Sequence, residues 1–160
     1  MPEPAIRVGL GFDVHPTQVG RVLYLGGVRI DDVPGLAGHS DGDVVCHALA
    51  DAILGGAGLG DLGAHFPDTD PATEGIAGLD LLGRVVSLAR EGGFTAWSCD
   101  VTVIAEKPVI TPIAGTIRGN LALALALPRE RVSVKATRPE GLGLAGDGVG
   151  CIAIVVLTAP

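Results

Sequence analysis

Hydrophobic and polar positions change period several times along the chain, and each change marks an element. Residues 5–14, with Ile6-Arg7-Val8 at their start, predict a first strand. Pro16 is expected to end it, because proline cannot donate to a ladder. Gly26-Gly27 stands between Val22-Leu23-Tyr24-Leu25 and Val28-Arg29-Ile30, which predicts a hairpin over Arg21 to Ile30. Residues 32–38 read as loop. The apolar run Val44 to Leu54 predicts a helix capped by Ser40 or Asp41. Residues 55–71 are rich in Gly, Asp and Pro and are long for a plain connection, which favours a functional loop. Ile76 to Glu91 predicts a second helix, closed by Gly92-Gly93. Ser98 to Glu106 alternates as a strand, and Pro108 ends it. Thr111-Pro112 has the form of a helix start. The run Leu121 to Leu127 alternates Leu and Ala, a strand-like period built from helix formers. With a cap upstream and no β-branched residue, it is assigned to a third helix. Arg131 to Thr137 and Cys151 to Leu157 are strands, separated by a glycine-rich turn over residues 141–150.

Placed on these elements, two polar residues stand out. Asp13 and His15 are two apart, so a strand delivers both to one face. His47 lies in the first predicted helix, and Asp51 one turn on could orient it. Two histidines and a carboxylate make a candidate zinc site with a fourth position open to a substrate oxygen. A lone histidine is more often structural, so the residues alone leave both readings open. His39-Ser40-Asp41-Gly42-Asp43 reads as a helix cap. It also reads as an anion dock, since a helix start offers free N–H groups. His65 has no evident partner and reads as structural. Gly58, Gly60 and Gly63, and again Gly141, Gly143 and Gly146, match G-x-G-x-x-G. Neither set stands between a strand and a helix, so no dinucleotide site is expected.

Composition narrows the class. A chain of 160 residues suits one domain over residues 1–160. It is 48% apolar with only three Phe, one Trp and one Tyr, so the core must be small aliphatic side chains. The mean hydropathy of +0.48 exceeds what one small domain needs and predicts apolar surface buried between subunits. A net charge of −7 lacks the basic footprint of a nucleic-acid binder. An anionic substrate would have to be held by metals and local amides. Cys46, Cys99 and Cys151 are odd in number and sit in apolar runs, so they read as reduced core thiols of a cytoplasmic protein. No signal peptide or membrane span is expected.

Four stretches, taken in order and spacing, resemble the 2-C-methyl-D-erythritol 2,4-cyclodiphosphate synthase family of the non-mevalonate isoprenoid pathway. They are Gly11-Phe12-Asp13-Val14-His15, Gly38-His39-Ser40-Asp41-Gly42-Asp43-Val44 with His47-Ala48-Leu49, Leu59-Gly60-Asp61-Leu62-Gly63, and Phe66-Pro67-Asp68-Thr69-Asp70. The resemblance implies a small α/β (α+β) domain with a mostly four-stranded mixed sheet, an extra hairpin and helices packed on one face. It implies a homotrimer with active sites between subunits. Asp13, His15 and His47 would hold zinc, with Asp13 and His15 also near substrate. His39 and Ser40 would contact the erythritol phosphate end, His39 as a catalytic residue. Asp61, Gly63 and the loop Phe66, Pro67, Asp68, Thr69, Asp70 would line the methylerythritol pocket. From the neighbouring subunit, Ala105, Glu106, Lys107, Pro108, Val109, Ile110 and Thr111 would enclose cytosine. Thr137, Arg138, Pro139 and Leu144 would complete the substrate contacts, and Glu140 would hold magnesium or manganese.

The implied substrate is a cytidine diphosphate-type molecule. A 2-phosphate oxygen of 4-diphosphocytidyl-2-C-methyl-D-erythritol 2-phosphate attacks the β-phosphorus, and CMP leaves as the cyclic diphosphate forms. No protein nucleophile is needed, in keeping with the lack of a nucleophile motif. The chain departs from the family pattern near its end. Lys135-Ala136-Thr137-Arg138-Pro139-Glu140 has Arg138 at a threonine position tied to transition-state stabilisation. Val109 replaces a common lysine. Asp147 stands where an arginine often meets an anion at the mouth of the trimer cavity, so anion binding there is not expected. These departures keep two alternatives in view: a non-catalytic zinc-binding trimeric homologue, and a zinc phosphodiesterase.

Overall fold

The computed structural model describes residues 5–143 and 147–159. Its strands are β1 (Ile6–Gln18), β2 (Leu23–Leu25), β3 (Val28–Ile30), β4 (Gly35–Leu36), β5 (Thr95–Ile104), β6 (Val132–Thr137) and β7 (Gly148–Thr158). Its helices are α1 (Val44–Ala57), α2 (Leu62–His65), α3 (Gly78–Glu91) and α4 (Ala114–Leu125). The main sheet has the order β4-β1-β7-β5-β6 and is antiparallel except for the β5–β6 pair. β2 and β3 form a separate hairpin. The expected mixed sheet of four long strands is present. The two-residue β4, in the stretch read as loop, adds a fifth at one edge.

Strand alternation sorts the two faces of this sheet. Cys99, Val101, Val103, Val149, Cys151, Ala153, Val155 and Leu157 are buried against the helices. On β1 the residues facing the helices include Gly9 and Gly11. A Cβ on either would lie 1.8 Å from a carbonyl oxygen of α1, Ala52 O or Ala48 O respectively. Their missing side chains let α1 lie directly on β1. The opposite face carries no helix among the described residues. There Ile6, Val8 and Leu10 are about two-thirds exposed, and Phe12, Val14, Ile152 and Ile154 are also exposed. The buried apolar residues form one contiguous cluster between sheet and helices. No helix among the described residues is long and apolar enough to cross a membrane. The three cysteines are free and buried, and burial raises all three thiol pKa values, Cys99 to about 12.

Several boundaries differ from those expected. β1 passes through Pro16, which pairs with Gly148 of β7, and ends at Gln18. The Pro16 carbonyl accepts from Ala37 N–H at 2.9 Å, so its nitrogen faces the same flank, where only short β4 lies. The missing donor therefore costs the β7 ladder nothing. The cap of α1 is Asp43 rather than Ser40 or Asp41, and it accepts from Val45 N and Cys46 N. The helix continues through Gly55-Gly56 to Ala57, because Gly56 packs against Gly9: a Cβ there would sit 3.1 Å from Gly9 N. α4 starts at Ala114, not at Thr111-Pro112, with Ile110 O accepting from both Ile113 N and Ala114 N.

Candidate active site

β1 and the first turn of α1 meet at three polar side chains. The alternation that aims Gly9 and Gly11 at the helix aims Asp13 and His15 the same way. α1 lies so close that His47 reaches them. His15 Nε2 is 3.0 Å and His47 Nδ1 3.1 Å from the same Asp13 oxygen, Oδ2. One potential ligand atom from each residue lies within 4.8 Å of the others. Burial opposes ionisation of Asp13, but hydrogen bonds and positive charge from His15 and His47 outweigh it and lower its pKa to about 2. The Asp13 hydrogen bond raises the His15 pKa against the opposing effect of burial. An ionised carboxylate and two imidazoles converging on one point suit a divalent transition metal.

The other ring nitrogen of His47, Nε2, lies 3.0 Å from Ser40 Oγ, which also accepts from Gly42 N at 3.2 Å. A hydroxyl can donate or accept, so it serves either tautomer of His47. The neighbouring carboxylates have structural duties. Asp41 Oδ2 accepts from Gly78 N at the start of α3, and burial raises its pKa. Asp43 is fully buried and accepts from Gly26 N and Gly27 N at 2.8 and 2.7 Å, tying the hairpin turn to α1. Asp51 does not orient His47, contrary to expectation. Both His47 nitrogens are taken by Asp13 and Ser40, and Asp51 instead accepts from Leu62 N at 2.9 Å.

The three side chains open onto a cavity of about 550 Å³, also lined by His39, Ser40, Gly63, Phe66, Pro67 and Asp68. Asp61, Thr69 and Asp70 stand outside that lining. Asp61 caps α2 through Ala64 N, and the Asp70 carbonyl holds His39 Nε2 at 3.0 Å. His65 also lies outside it, with Nε2 2.8 Å from Leu59 O. A second cavity of about 210 Å³ gathers Ala105, Glu106, Pro108, Val109, Ile110, Thr111, Thr137 and Arg138. Among the described residues it shares no lining residue with the first. Lys107 lines a separate pocket toward Ile30 and Val33. Pro139 is buried and Glu140 exposed just past β6. Leu144 lies outside the described residues.

The sequence model of the YgbB family matches residues 6–159. The chain belongs to the YgbB family. It is 49% identical over 152 residues to the 2-C-methyl-D-erythritol 2,4-cyclodiphosphate synthase of Symbiobacterium thermophilum, covering 94% of this chain and 97% of that one. Its fold is similar to that of bifunctional IspDF from Campylobacter jejuni, with a TM-score of 0.93 and 40% identity. The match covers 99% of this chain and 44% of that longer one. It is also similar to the CDP complex of IspF from Plasmodium falciparum, at a TM-score of 0.83, 31% identity and 97% of each chain.

Reading this YgbB chain as a sequence misses Arg21 and Ala37 as neighbours of the site; it includes Asp43 in the cap and anion-dock stretch but misses its contact with the hairpin turn. Arg21 and Ala37 carry no motif, and Asp43 sits inside a motif but points at a hairpin read as separate. No periodicity or spacing signals any of the three contacts.

Proposed function

We propose that this protein converts 4-diphosphocytidyl-2-C-methyl-D-erythritol 2-phosphate to 2-C-methyl-D-erythritol 2,4-cyclodiphosphate and CMP. The observation that carries this is the convergence of Asp13, His15 and His47 on one point at the wall of a 550 Å³ cavity, in a chain of this family. The reaction forms a bond from the 2-phosphate oxygen to the β-phosphorus and breaks the β-phosphorus bond to the oxygen that leaves with CMP. Two anions must meet, so the demands are orientation and charge neutralisation. Asp13, His15 and His47 would hold zinc, which supplies charge neutralisation and Lewis acidity to phosphate oxygen. Glu140 would hold magnesium or manganese against the diphosphate.

Within this reading the chain's own residues bind and orient. Ser40 and His39 stand beside the metal ligands, where the erythritol phosphate would dock, and His39 is held by the Asp70 carbonyl. Asp61, Gly63 and the loop from Phe66 to Asp70 would enclose the methylerythritol chain. The second cavity would receive cytosine between Ala105 and Thr111, with Thr137, Arg138, Pro139 and Leu144 toward the diphosphate. The two cavities share no described lining residue within one chain, in keeping with the reading that a neighbouring subunit supplies the second. The bare apolar face of the sheet supports the homotrimer this requires. The three buried free thiols support a cytoplasmic location. Relatives that carry a synthase name do not favour a non-catalytic homologue, which would keep the same donor set. Incubating the protein with substrate, zinc and magnesium tests the reading. Cyclic product with equimolar CMP is expected. A linear hydrolysis product would mark a phosphodiesterase, and unchanged substrate a binding protein.

A further inference from the structure

Both candidate ligand histidines lean on one stretch of backbone, residues 37–40. His15 turns Nε2 to Asp13, and its opposite edge faces Gly38, where a Cβ would sit 3.5 Å from both Nδ1 and Cε1. The Ala37 carbonyl lies against the same ring. His47 turns Nδ1 to Asp13 and rests Nε2 on Ser40 Oγ. The rotation of both rings therefore depends on where this stretch sits. Two of its carbonyls are held by a single side chain. Arg21 Nη1 donates to Gly38 O and Nη2 to Ser40 O, each at 2.5 Å. No carboxylate pairs with Arg21 among the described residues, so these carbonyls are its partners. Its own backbone is seated at the end of β1 and on β4, with N–H to Gln18 O at 3.3 Å and carbonyl to Gly35 N at 2.8 Å. A guanidinium presents its N–H groups as a rigid planar fork, which suits two carbonyls two residues apart. A lysine ammonium is a point charge on a flexible stem.

We propose that Arg21 is a positioning residue of the metal centre. By clamping the Gly38 and Ser40 carbonyls it keeps Ser40 on His47 and leaves His15 Nε2 and His47 Nδ1 turned toward Asp13. The inference rests on the zinc reading above.

The test is zinc affinity of the full chain, measured by competition with a chromophoric chelator. Partners that orient metal-ligating histidines are worth about 10- to 100-fold in metal affinity. Ser40→Ala should fall in that range and Arg21→Ala near its lower end, with Arg21→Lys recovering little. Added guanidinium ion should restore zinc affinity to Arg21→Ala but not to Ser40→Ala, which a general loss of stability would not do. Should Arg21→Ala fail to fold, Arg21→Lys, which keeps the charge, carries the comparison. Unchanged zinc affinity in the Arg21 variants overturns the inference and leaves the zinc reading standing. So does a loss that follows melting temperature and ignores guanidinium. An unmodified chain that takes up no zinc removes both.

Discussion

Gly11→Ala adds one methyl group where α1 crosses β1. That Cβ would lie 1.8 Å from Ala48 O and 2.8 Å from both Ala48 C and Ala52 N. All three atoms are helix backbone, so no side chain can rotate out of the way. Raising the closest contact to 3.0 Å, the floor for real Cβ atoms, requires the layers to part by about 1.2 Å. Overpacking a tight core costs about 1–3 kcal/mol, and a helix that must move as a unit belongs at or above the upper end. That is a large share of the ~5–15 kcal/mol on which a domain stands. The displacement also reaches the candidate metal centre. His47 immediately precedes Ala48 and moves with α1, while Asp13 and His15 stay on β1. Metal–ligand distances tolerate about 0.2 Å, so a shift of about 1.2 Å takes His47 out of range. Gly11→Ala should therefore lower the melting temperature and abolish zinc uptake at concentrations that saturate the parent. Gly55→Ala is the control: the same chemical change, made on α1 instead of β1, with nothing within 4 Å of the added Cβ. It should stabilise by about 0.5–1 kcal/mol. Thermal unfolding and zinc competition read both variants. A Gly11→Ala protein within about 0.5 kcal/mol of the parent, binding zinc as well, would refute the claim that Gly9 and Gly11 set the layer spacing and the site.

Three further outcomes are expected. In the metal-free protein, His15 is raised above 6.5, so its contribution to stability is full below 6.5 and is lost as pH rises through the folded value. Asp13, lowered from 3.8 to about 2, contributes above 3.8 and loses that contribution as pH falls through about 2. The stability advantage of the parent over His15→Gln should thus be larger at about pH 6 than at about pH 8, and an equal advantage at both would contradict the sign. Light scattering should give three times the 16.1 kDa chain mass for the parent and a smaller species for Leu10→Asp on the bare sheet face, whereas a fully active monomeric parent excludes a shared site. If Arg138 acts in the transition state, Arg138→Ala should lower kcat and kcat/KM together by about 10- to 1000-fold. A change in KM alone marks a ground-state contact, and unchanged kinetics with Arg138→Thr no worse leaves Arg138 without a role.

What the sequence determined by itself was local. A period of two placed Asp13 and His15 on one face, and that holds whatever packs above them. The Leu/Ala run resolved to helix as far as Leu125, with Ala126 as its cap, because its residues are helix formers. The order of four motifs pointed to the family that the comparisons support.

Only the tertiary structure decided which groups meet. Asp13 and His47 are 34 residues apart, and they touch because Gly9 and Gly11 admit α1 to the sheet. Sequence shows those glycines but not what lies over them. The same gap explains the errors. Pro16 ends a strand only where its missing N–H would face a partner, and here it faces a sheet edge. Asp51 shares a helix face with His47, yet the orienting contact comes from Ser40, because the loop folds back over the ring. Arg21 carries no motif and gains its place from two carbonyls 17 and 19 residues away. Periodicity records which face a side chain takes. Its partner on that face is set by the closeness of backbones, which depends on packing across the whole domain.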